Sequence, residues 1–301
     1  MGKLAIIFPG QGAQTVGMGR DFYERFDAAK SIFDAIGDSV KNATFIGPQD
    51  ELNQTVNAQP ALFAVSLAIA AVLDENDVIA DGIAGFSLGE ITGLVYCGLL
   101  NLEQGIAFVK YRAKAMMDCA IRNEGGMAAV LGLDVDTVIQ LCIQVDGAYP
   151  ANFNSHAQTV VAYRADAYDT LVKAVAAQGG KFIKLAVSGA FHSPLMDNAA
   201  ADVERYLQNV AWGKPTKPLY ANCTAQPYPD IIHPQDMAKQ INHPVKWRET
   251  IENMITDGYD TFIEAGPGKV LTGMIKKINP GVRVYNIFDV VSLEQTLKEI
   301  G

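Results

Sequence analysis

Ser87 lies in a sequence that can form a nucleophile elbow. It is the centre of Gly85-Phe86-Ser87-Leu88-Gly89, the GxSxG pattern in which a strand turns sharply into a helix and exposes the serine hydroxyl. An apolar run precedes the pattern and apolar residues at helical spacing follow it. The start of such a helix also offers free backbone N–H groups to an oxyanion. The pattern predicts nucleophilic acyl chemistry at Ser87, and a tight turn without chemistry is the alternative.

A serine nucleophile needs a base, and the chain has four histidines. His233 and His243 each precede a proline, which favours a surface turn for both. His192 follows the small-residue stretch 188–191, where a side chain can face a cleft. The residue types leave two interpretations of His192 open: a base for Ser87, or a loop histidine with locally satisfied ring nitrogens.

Arg112 borders the apolar stripe of a predicted helix, whereas Lys110 and Lys114 fall on the opposite side. An arginine at the edge of a core needs an anionic partner. From the residues alone, the simpler interpretation is a salt bridge with an Asp or Glu inside the fold.

The elements around these residues predict an α/β protein in two parts. The opening run Leu4-Ala5-Ile6-Ile7-Phe8 is continuously apolar, as in a buried strand of a parallel sheet, and an almost wholly apolar helix follows Pro60. Between residues 126 and 187 the predicted order is βαββαβ, the ferredoxin-like pattern. We therefore expect a core of residues 1–125 and 191–301, interrupted by a subdomain of residues 126–190.

Composition narrows the function classes. The 301 residues carry 33 Asp+Glu against 24 Lys+Arg, a net charge of −9, which argues against a nucleic-acid partner. The four cysteines are widely spaced without a CxxC pair, which predicts reduced thiols and a cytoplasmic protein. No segment reaches about 18 uninterrupted apolar residues, so no membrane span is expected. No metal-ligand spacing or phosphate-binding glycine motif is present, so we expect neither a metal nor a cofactor.

The chain resembles malonyl-CoA:acyl carrier protein transacylases. Eight segments occur in the order seen in that family: Gly10-Gln11-Gly12-Ala13-Gln14, Gln59-Pro60-Ala61-Leu62, Gly85-Phe86-Ser87-Leu88-Gly89-Glu90, Arg112, Asn152-Phe153-Asn154-Ser155, Ala190-Phe191-His192, Asn242-His243-Pro244-Val245 and Gly266-Pro267-Gly268. The resemblance covers nearly the whole chain. It implies a hydrolase-like α/β core with a parallel sheet, an inserted ferredoxin-like subdomain, and an active site between them.

The resemblance also implies roles for individual residues. Ser87 would be the nucleophile and His192 its general base. The oxyanion would be held by the backbone N–H groups of Gln11 and Leu88. A main-chain carbonyl from the segment His243-Pro244-Val245-Lys246 would orient the histidine. Because a main-chain group has this role, the lysine at position 246, where relatives often have glutamine, would not affect it. The residues expected to bind the substrate are Arg112, Gln59, Asn154 and Phe191.

The resemblance implies that Arg112 binds the free carboxylate of a malonyl group with its planar, forked guanidinium. Phe191 would be a wall against an α-methyl group, with plain core packing as the alternative. The position before the nucleophile is Phe86, where the family commonly has histidine, so a contact from that histidine is missing.

The implied reaction moves malonyl from malonyl-CoA to the phosphopantetheine thiol of acyl carrier protein, in fatty acid biosynthesis, through a malonyl-serine intermediate. A monomer is the family expectation. The alternatives are a discrete acyltransferase of a polyketide pathway, a serine esterase or thioesterase, and a carrier-binding module with an inactive site. CoA and carrier proteins are both acidic, so a chain at −9 needs basic residues at the cleft mouth. The candidates are Lys181, Lys184, Lys269, Lys276, Lys277 and Arg283.

Overall fold

The structure, a computed structural model, describes residues 2–300. Its strands are β1 (Lys3–Phe8), β2 (Gly82–Gly85), β3 (Gly125–Leu131), β4 (Ala148–Ser155), β5 (Gln158–Arg164), β6 (Lys181–Lys184), β7 (Leu219–Tyr220), β8 (Tyr259–Ala265) and β9 (Arg283–Ile287). Its helices are α1 (Arg20–Arg25), α2 (Asp27–Ile36), α3 (Asp38–Phe45), α4 (Gln49–Leu52), α5 (Thr55–Glu75), α6 (Leu88–Tyr96), α7 (Leu102–Arg122), α8 (Val135–Gln144), α9 (Tyr168–Ala177), α10 (Asp197–Leu207), α11 (Pro234–Asn242), α12 (Trp247–Thr256), α13 (Val270–Ile278) and α14 (Val290–Ile300).

The core is a five-stranded parallel sheet in the order β7-β2-β1-β8-β9. The last four residues of β1 are fully buried on both faces, which is why that strand is continuously apolar. Ile6 pairs with Ile83 on one side and with Ile263 on the other. Because the strands are parallel, the loops after β1, β2, β7 and β8 all leave from one edge of the sheet.

Helix α5 crosses the core as a buried helix without a polar face. Pro60 was expected to precede it, but the helix already begins at Thr55. Proline removes one main-chain hydrogen bond from a helix, and the packing of α5 on both sides compensates for this loss. By length and composition α5 is the one helix in residues 2–300 that could cross a membrane, and 83% of its apolar window is buried inside the fold.

Strands β3–β6 form a separate antiparallel sheet in the order β4-β5-β3-β6, with α8 and α9 in the predicted βαββαβ sequence. This confirms the fold class. The unit runs from Gly125 to Lys184, and the division at residues 126 and 190 stays a prediction. The last strand was expected to reach Val187, but β6 ends at Lys184 because the next three residues turn to line a cavity.

A short parallel bridge joins the antiparallel sheet to the core. The Phe153 N–H donates to the Val245 carbonyl (2.9 Å), and the Val245 N–H donates to the Ala151 carbonyl (2.9 Å). The middle of β4 is therefore attached to the chain between α11 and α12. This attachment places β4 over the loops at the carboxyl edge of the parallel sheet.

Candidate active site

Ser87 lies at the turn from β2 into α6, in the backbone conformation of a nucleophile elbow. Its φ is 51° and its ψ is −101°, a strained combination for a residue with a Cβ, which costs about 1–3 kcal/mol. The flanking glycines are required by close approaches. A Cβ on Gly85 would overlap the backbone of Gly89, and a Cβ on Gly89 would overlap the Phe8 carbonyl. The turn that requires both glycines is therefore the same turn that presents the Ser87 hydroxyl.

His192 is the one buried histidine of the four; the other three are exposed. Its Nε2 lies 2.7 Å from the Ser87 hydroxyl, and its Nδ1 lies 2.9 Å from the Gln240 carbonyl oxygen. A carbonyl only accepts, so Nδ1 carries the proton and Nε2 is left to accept from the hydroxyl. The pKa of His192 is lowered to about 3, mainly by burial and to a smaller extent by the positive charge of Arg112. The ring is therefore neutral at pH 7.

Arg112 is 1% exposed and points at the nucleophile from α7. Its guanidinium donates to Gln59 Oε1 (2.5 Å), Gln240 Oε1 (2.8 Å) and Ser87 Oγ (3.2 Å). No carboxylate of residues 2–300 forms a salt bridge with it, so the internal salt bridge is excluded. Burial lowers the pKa of Arg112 to about 10, and the charge of Glu90 partly opposes the shift. The site thus holds a buried cation with only neutral partners.

These three residues face one cavity of about 510 Å³ between the two sheets. Among the described residues that line the cavity, only Arg112 has a permanent charge, and none is Asp or Glu. Every predicted site residue except Lys246 borders the cavity: Ser87, His192, Arg112, Gln11, Leu88, Gln59, Asn154 and Phe191. A neutral base, a serine hydroxyl and an unpaired guanidinium suit acyl transfer from a substrate that carries a carboxylate.

The family model described as "Acyl transferase domain" matches residues 5–287. A malonyl CoA-acyl carrier protein transacylase of Bacillus subtilis (strain 168) is 35% identical to the chain, over 99% of this chain and 98% of the relative. The chain belongs to the malonyl CoA-acyl carrier protein transacylase family.

Solved structures of the family have the same fold. A transacylase from Clostridium perfringens superposes with a TM-score of 0.94 at 36% identity, over 99% of this chain and 97% of that one. A malonyl-transacylase in complex with a type II PKS acyl-carrier protein gives 0.91 at 33% identity, over 99% of both chains. Similarity at this level extends through both sheets and the cleft between them.

The prediction that a main-chain carbonyl of residues 243–246, assigned to Lys246, orients the histidine is wrong, because the carbonyl oxygen 2.9 Å from His192 Nδ1 belongs to Gln240. The Lys246 carbonyl already accepts from the Thr250 N–H and hydroxyl, both at 2.9 Å. Gln240 lies in the last turn of α11, where carbonyls lack helical partners. The residue four positions later is Pro244, which has no N–H, so the Gln240 carbonyl is free for His192. That spacing was the available sequence signal.

Sequence reasoning also missed the Gln240 side chain. Its Oε1 accepts from Arg112, and its Nε2 donates to the Ser87 carbonyl (2.6 Å). One residue therefore contacts the nucleophile, the arginine and, through its main chain, the base. No local motif marks it, because its partners are 48 to 153 positions away in the chain.

The remaining predicted residues lie where their roles require, and the roles stay predictions. In the described chain, neither the Gln11 nor the Leu88 N–H donates to a protein acceptor, and the Gln11 side chain is held by the Thr55 hydroxyl (2.7 Å). Asn154 is 3% exposed, and its Oδ1 has no protein partner. Phe191 is almost fully buried at the cavity wall.

Phe86 packs on Trp247, with ring centroids 5.6 Å apart. An apolar contact has therefore replaced the polar residue that the family commonly has before the nucleophile. His192 keeps its contact with Ser87 without it.

The six basic candidates fall into two groups. Lys184 precedes the lining residue Leu185, Lys181 begins the same strand, and Lys269 precedes the lining residue Val270. Lys276 and Lys277 lie in the last turn of α13, two and three positions after the lining residue Met274. Arg283 is at the amino end of β9, on the opposite edge of the sheet, and pairs with Asp260.

Residues 2–300 contain no group of three or more His, Cys, Asp and Glu side chains that could hold a metal ion.

Proposed function

We propose that this chain transfers a malonyl group from malonyl-CoA to the phosphopantetheine thiol of acyl carrier protein through a covalent malonyl-Ser87 intermediate. The observation that carries the proposal is the position of the unpaired Arg112 guanidinium, 3.2 Å from a hydroxyl that also lies 2.7 Å from His192 Nε2. A hydrolase site for neutral acyl groups has no need of a buried cation there.

The first half-reaction is acylation of Ser87. His192 Nε2 takes the hydroxyl proton as Oγ attacks the thioester carbonyl, and the Gln240 carbonyl stabilises the resulting imidazolium through Nδ1–H. The tetrahedral oxyanion forms near the Leu88 and Gln11 N–H groups. Each such donor contributes roughly 10²- to 10³-fold in rate. His192 then protonates the departing thiolate of CoA.

Arg112 positions the acyl group. A malonyl carboxylate exchanges with the neutral oxygens that the guanidinium contacts in this structure, Gln59 Oε1 and Ser87 Oγ. The fork then holds the carboxylate while the hydroxyl is freed for attack. Neutralising Arg112 in this way also removes a charge that lowers the pKa of His192, so the bound substrate strengthens the base.

The second half-reaction repeats the chemistry with a different thiol. The carrier protein's phosphopantetheine thiol gives its proton to His192 and attacks the malonyl-serine ester, which regenerates Ser87. A solved complex of a related transacylase with its carrier protein supports this partner. The proposed steps need no metal or cofactor, because base, nucleophile and oxyanion donors all belong to the chain.

The proposal places the reaction in fatty acid biosynthesis, in the cytoplasm, with the enzyme acting as a monomer. All four cysteines are free thiols, which suits a reducing compartment. Supply of malonyl-carrier protein to a polyketide pathway would use the same chemistry. Activity with the carrier proteins of each pathway separates the two.

Intact-mass analysis after incubation with malonyl-CoA tests the proposal. We expect a malonyl adduct on the wild-type chain, its transfer to added holo-carrier protein, and no adduct on Ser87→Ala. Free malonate without adduct or carrier loading would instead show a thioesterase. Binding of the carrier protein without any adduct would show a module with an inactive site.

A further inference from the structure

Two buried polar residues behind the elbow take no part in the steps above. Asn222 is 1% exposed and Glu90 is fully buried, and neither lines the cavity. Asn222 follows β7, the strand that pairs with β2, so it arrives beside Ser87 at the carboxyl edge of the sheet. Buried polar groups in such a place call for a physical explanation.

The Asn222 side chain bonds to the backbone on both sides of the elbow. The Ser87 N–H donates to Asn222 Oδ1 (2.7 Å), and Asn222 Nδ2 donates to the Gly85 carbonyl (2.6 Å). One planar amide therefore spans the point where the strand becomes a helix. On the other side of the nucleophile, Gln240 Nε2 donates to the Ser87 carbonyl (2.6 Å). Both backbone groups of the strained serine are held by side-chain amides.

Asn222 is itself fixed from two directions. Its N–H donates to Glu90 Oε1 (3.2 Å), and its carbonyl accepts from the Lys246 N–H (2.9 Å). The Tyr228 hydroxyl donates to the same Glu90 oxygen (2.6 Å). Lys246 therefore supports the site through its N–H rather than through its carbonyl.

We propose that Asn222 is a positioning residue for the nucleophile: its amide holds Ser87 in the left-handed conformation that directs Oγ to His192, and Glu90 holds Asn222 in place. The inference rests on Ser87 being the nucleophile of the proposed transfer. It requires an amide, because only an amide accepts from Ser87 and donates to Gly85 at once. A carboxylate would face the Gly85 carbonyl with a second acceptor.

The test compares Asn222→Asp with wild type in single-turnover acylation. We expect the acylation rate constant to fall by about 10²-fold, as for a misplaced reacting group. The loss should be equal for malonyl-CoA and acetyl-CoA, with KM unchanged, because Asn222 touches neither acyl group. A serine-directed fluorophosphonate gives the fraction of folded, reactive sites, and the rate constant is taken for that fraction only. A merely structural residue would lower the fraction and leave the rate constant as it was.

Asn253→Asp is the matched control. Asn253 Nδ2 donates to the carbonyl of Ala225, which also has a positive φ (57°) and lies in the same turn as Asn222. This variant should lose thermal stability and keep the wild-type acylation rate. The proposal is overturned if Asn222→Asp acylates at the wild-type rate, or if Asn253→Asp slows acylation as much.

Tyr228→Phe keeps the test open if Asn222→Asp does not fold. It removes one hydrogen bond to Glu90 and keeps the ring. We expect a smaller fall in the acylation rate constant than for Asn222→Asp, with KM unchanged. An unchanged rate constant in this folded variant would reject the role of Glu90 in holding Asn222. The fluorophosphonate reaction needs no malonyl group. If wild type fails to form a malonyl adduct but the variant still slows labelling of Ser87, the proposed function fails and the positioning role stands.

Discussion

At the residue scale, the proposed role of Arg112 predicts which acyl group the site accepts. A buried guanidinium whose partners are two amide oxygens and a hydroxyl gains most from a ligand that brings a full negative charge. Acetyl-CoA offers no such charge. In the proposed reaction, the specificity for malonyl therefore depends on Arg112, whereas the reactivity of Ser87 depends on His192.

Arg112→Ala should lower kcat/KM for malonyl-CoA by about 10²- to 10³-fold, since charge-assisted hydrogen bonds contribute roughly 1.5–3 kcal/mol each. The loss with acetyl-CoA should be much smaller. Arg112→Lys is the matched variant, because it keeps the charge and loses the planar fork. Its kcat/KM for malonyl-CoA should lie between the values for wild type and Arg112→Ala. Steady-state kinetics with both donors measure the ratio. Equal losses for malonyl and acetyl would mean that the arginine only supports the fold.

The sequence was sufficient for residues whose role depends on their neighbours in the chain. Ser87 was predicted because its glycines and its turn are adjacent to it. The stripe of α7 located Arg112 at the edge of the core but favoured an internal salt bridge, and its substrate role came only from the family resemblance. Gln240 and Asn222 were missed because each acts on a residue more than 100 positions away. Common amides in a helix and a loop give no local sign of such contacts.

At the element scale, the end of α11 supplies the partner of the base. His192 Nδ1 needs an acceptor without a competing helical donor, and Pro244 provides this by lacking an N–H. The same proline ends the helix, and Val245 then joins β4 to the core. Termination of a helix, orientation of the base and attachment of the subdomain are thus consequences of one short segment.

Pro244→Ala tests this role of the helix end. Alanine restores an N–H that can compete for the Gln240 carbonyl, so we expect kcat to fall by about five- to tenfold, the equivalent of one neutral hydrogen bond. KM for malonyl-CoA should not change, because Arg112 is untouched. Pro234→Ala, at the first turn of the same helix, is the control and should retain full activity. A wild-type kcat for Pro244→Ala would contradict the argument.

Boundaries were the weakest part of the element predictions. The βαββαβ order was readable because strand and helix periodicities alternate clearly through the subdomain. The start of α5 and the end of β6 were not, because tertiary packing decides both. Helix α5 continues through Pro60 inside the core, and β6 stops where Leu185 turns to the cavity.

At the scale of the whole molecule, burial of His192 makes stability depend on pH. Its pKa is lowered to about 3 in the fold from an ordinary value of 6.5, so the unfolded chain binds the proton first as pH falls. The stability from this residue is complete above pH 6.5 and is lost between pH 6.5 and about 3. Glu90 acts in the opposite sense, because burial raises its pKa to about 7.

A difference measurement isolates His192 from Glu90. The free energy of unfolding of wild type minus that of His192→Gln should decline below pH 6.5 by up to about 1.4 kcal/mol per pH unit. Chemical denaturation at several pH values gives the difference, and His233→Gln at the surface is the control. A difference that does not vary with pH would show that the buried ring titrates as it does in the unfolded chain.

The net charge of −9 raises the question of how two acidic partners reach the cleft. The cavity contains no carboxylate of the described residues. Among the basic candidates, Lys184 and Lys269 each precede a lining residue, and Lys181 is in register with Leu131, which pairs with the lining residue Gln158. None of these three forms a salt bridge within residues 2–300. The Lys184 ammonium, however, lies 5.6 Å from the centre of the Tyr168 ring, on the face of the subdomain sheet that packs against α8 and α9. Lys181 and Lys269 are therefore the two whose charges are available to a partner at the cleft.

Lys181→Glu and Lys269→Glu should therefore each raise KM for the carrier protein, by roughly fivefold at low salt, since exposed charge pairs contribute up to about 1 kcal/mol. Lys184→Glu, with the same change in net charge but on the opposite face of the same strand as Lys181, is the control and should have little effect. Added salt should shrink the difference between the variants and wild type, because at 0.1 M exposed charges more than about 10 Å apart are largely screened. If Lys184→Glu raised KM as much as the other two, the total charge of the molecule would govern the encounter rather than the charges beside the cleft.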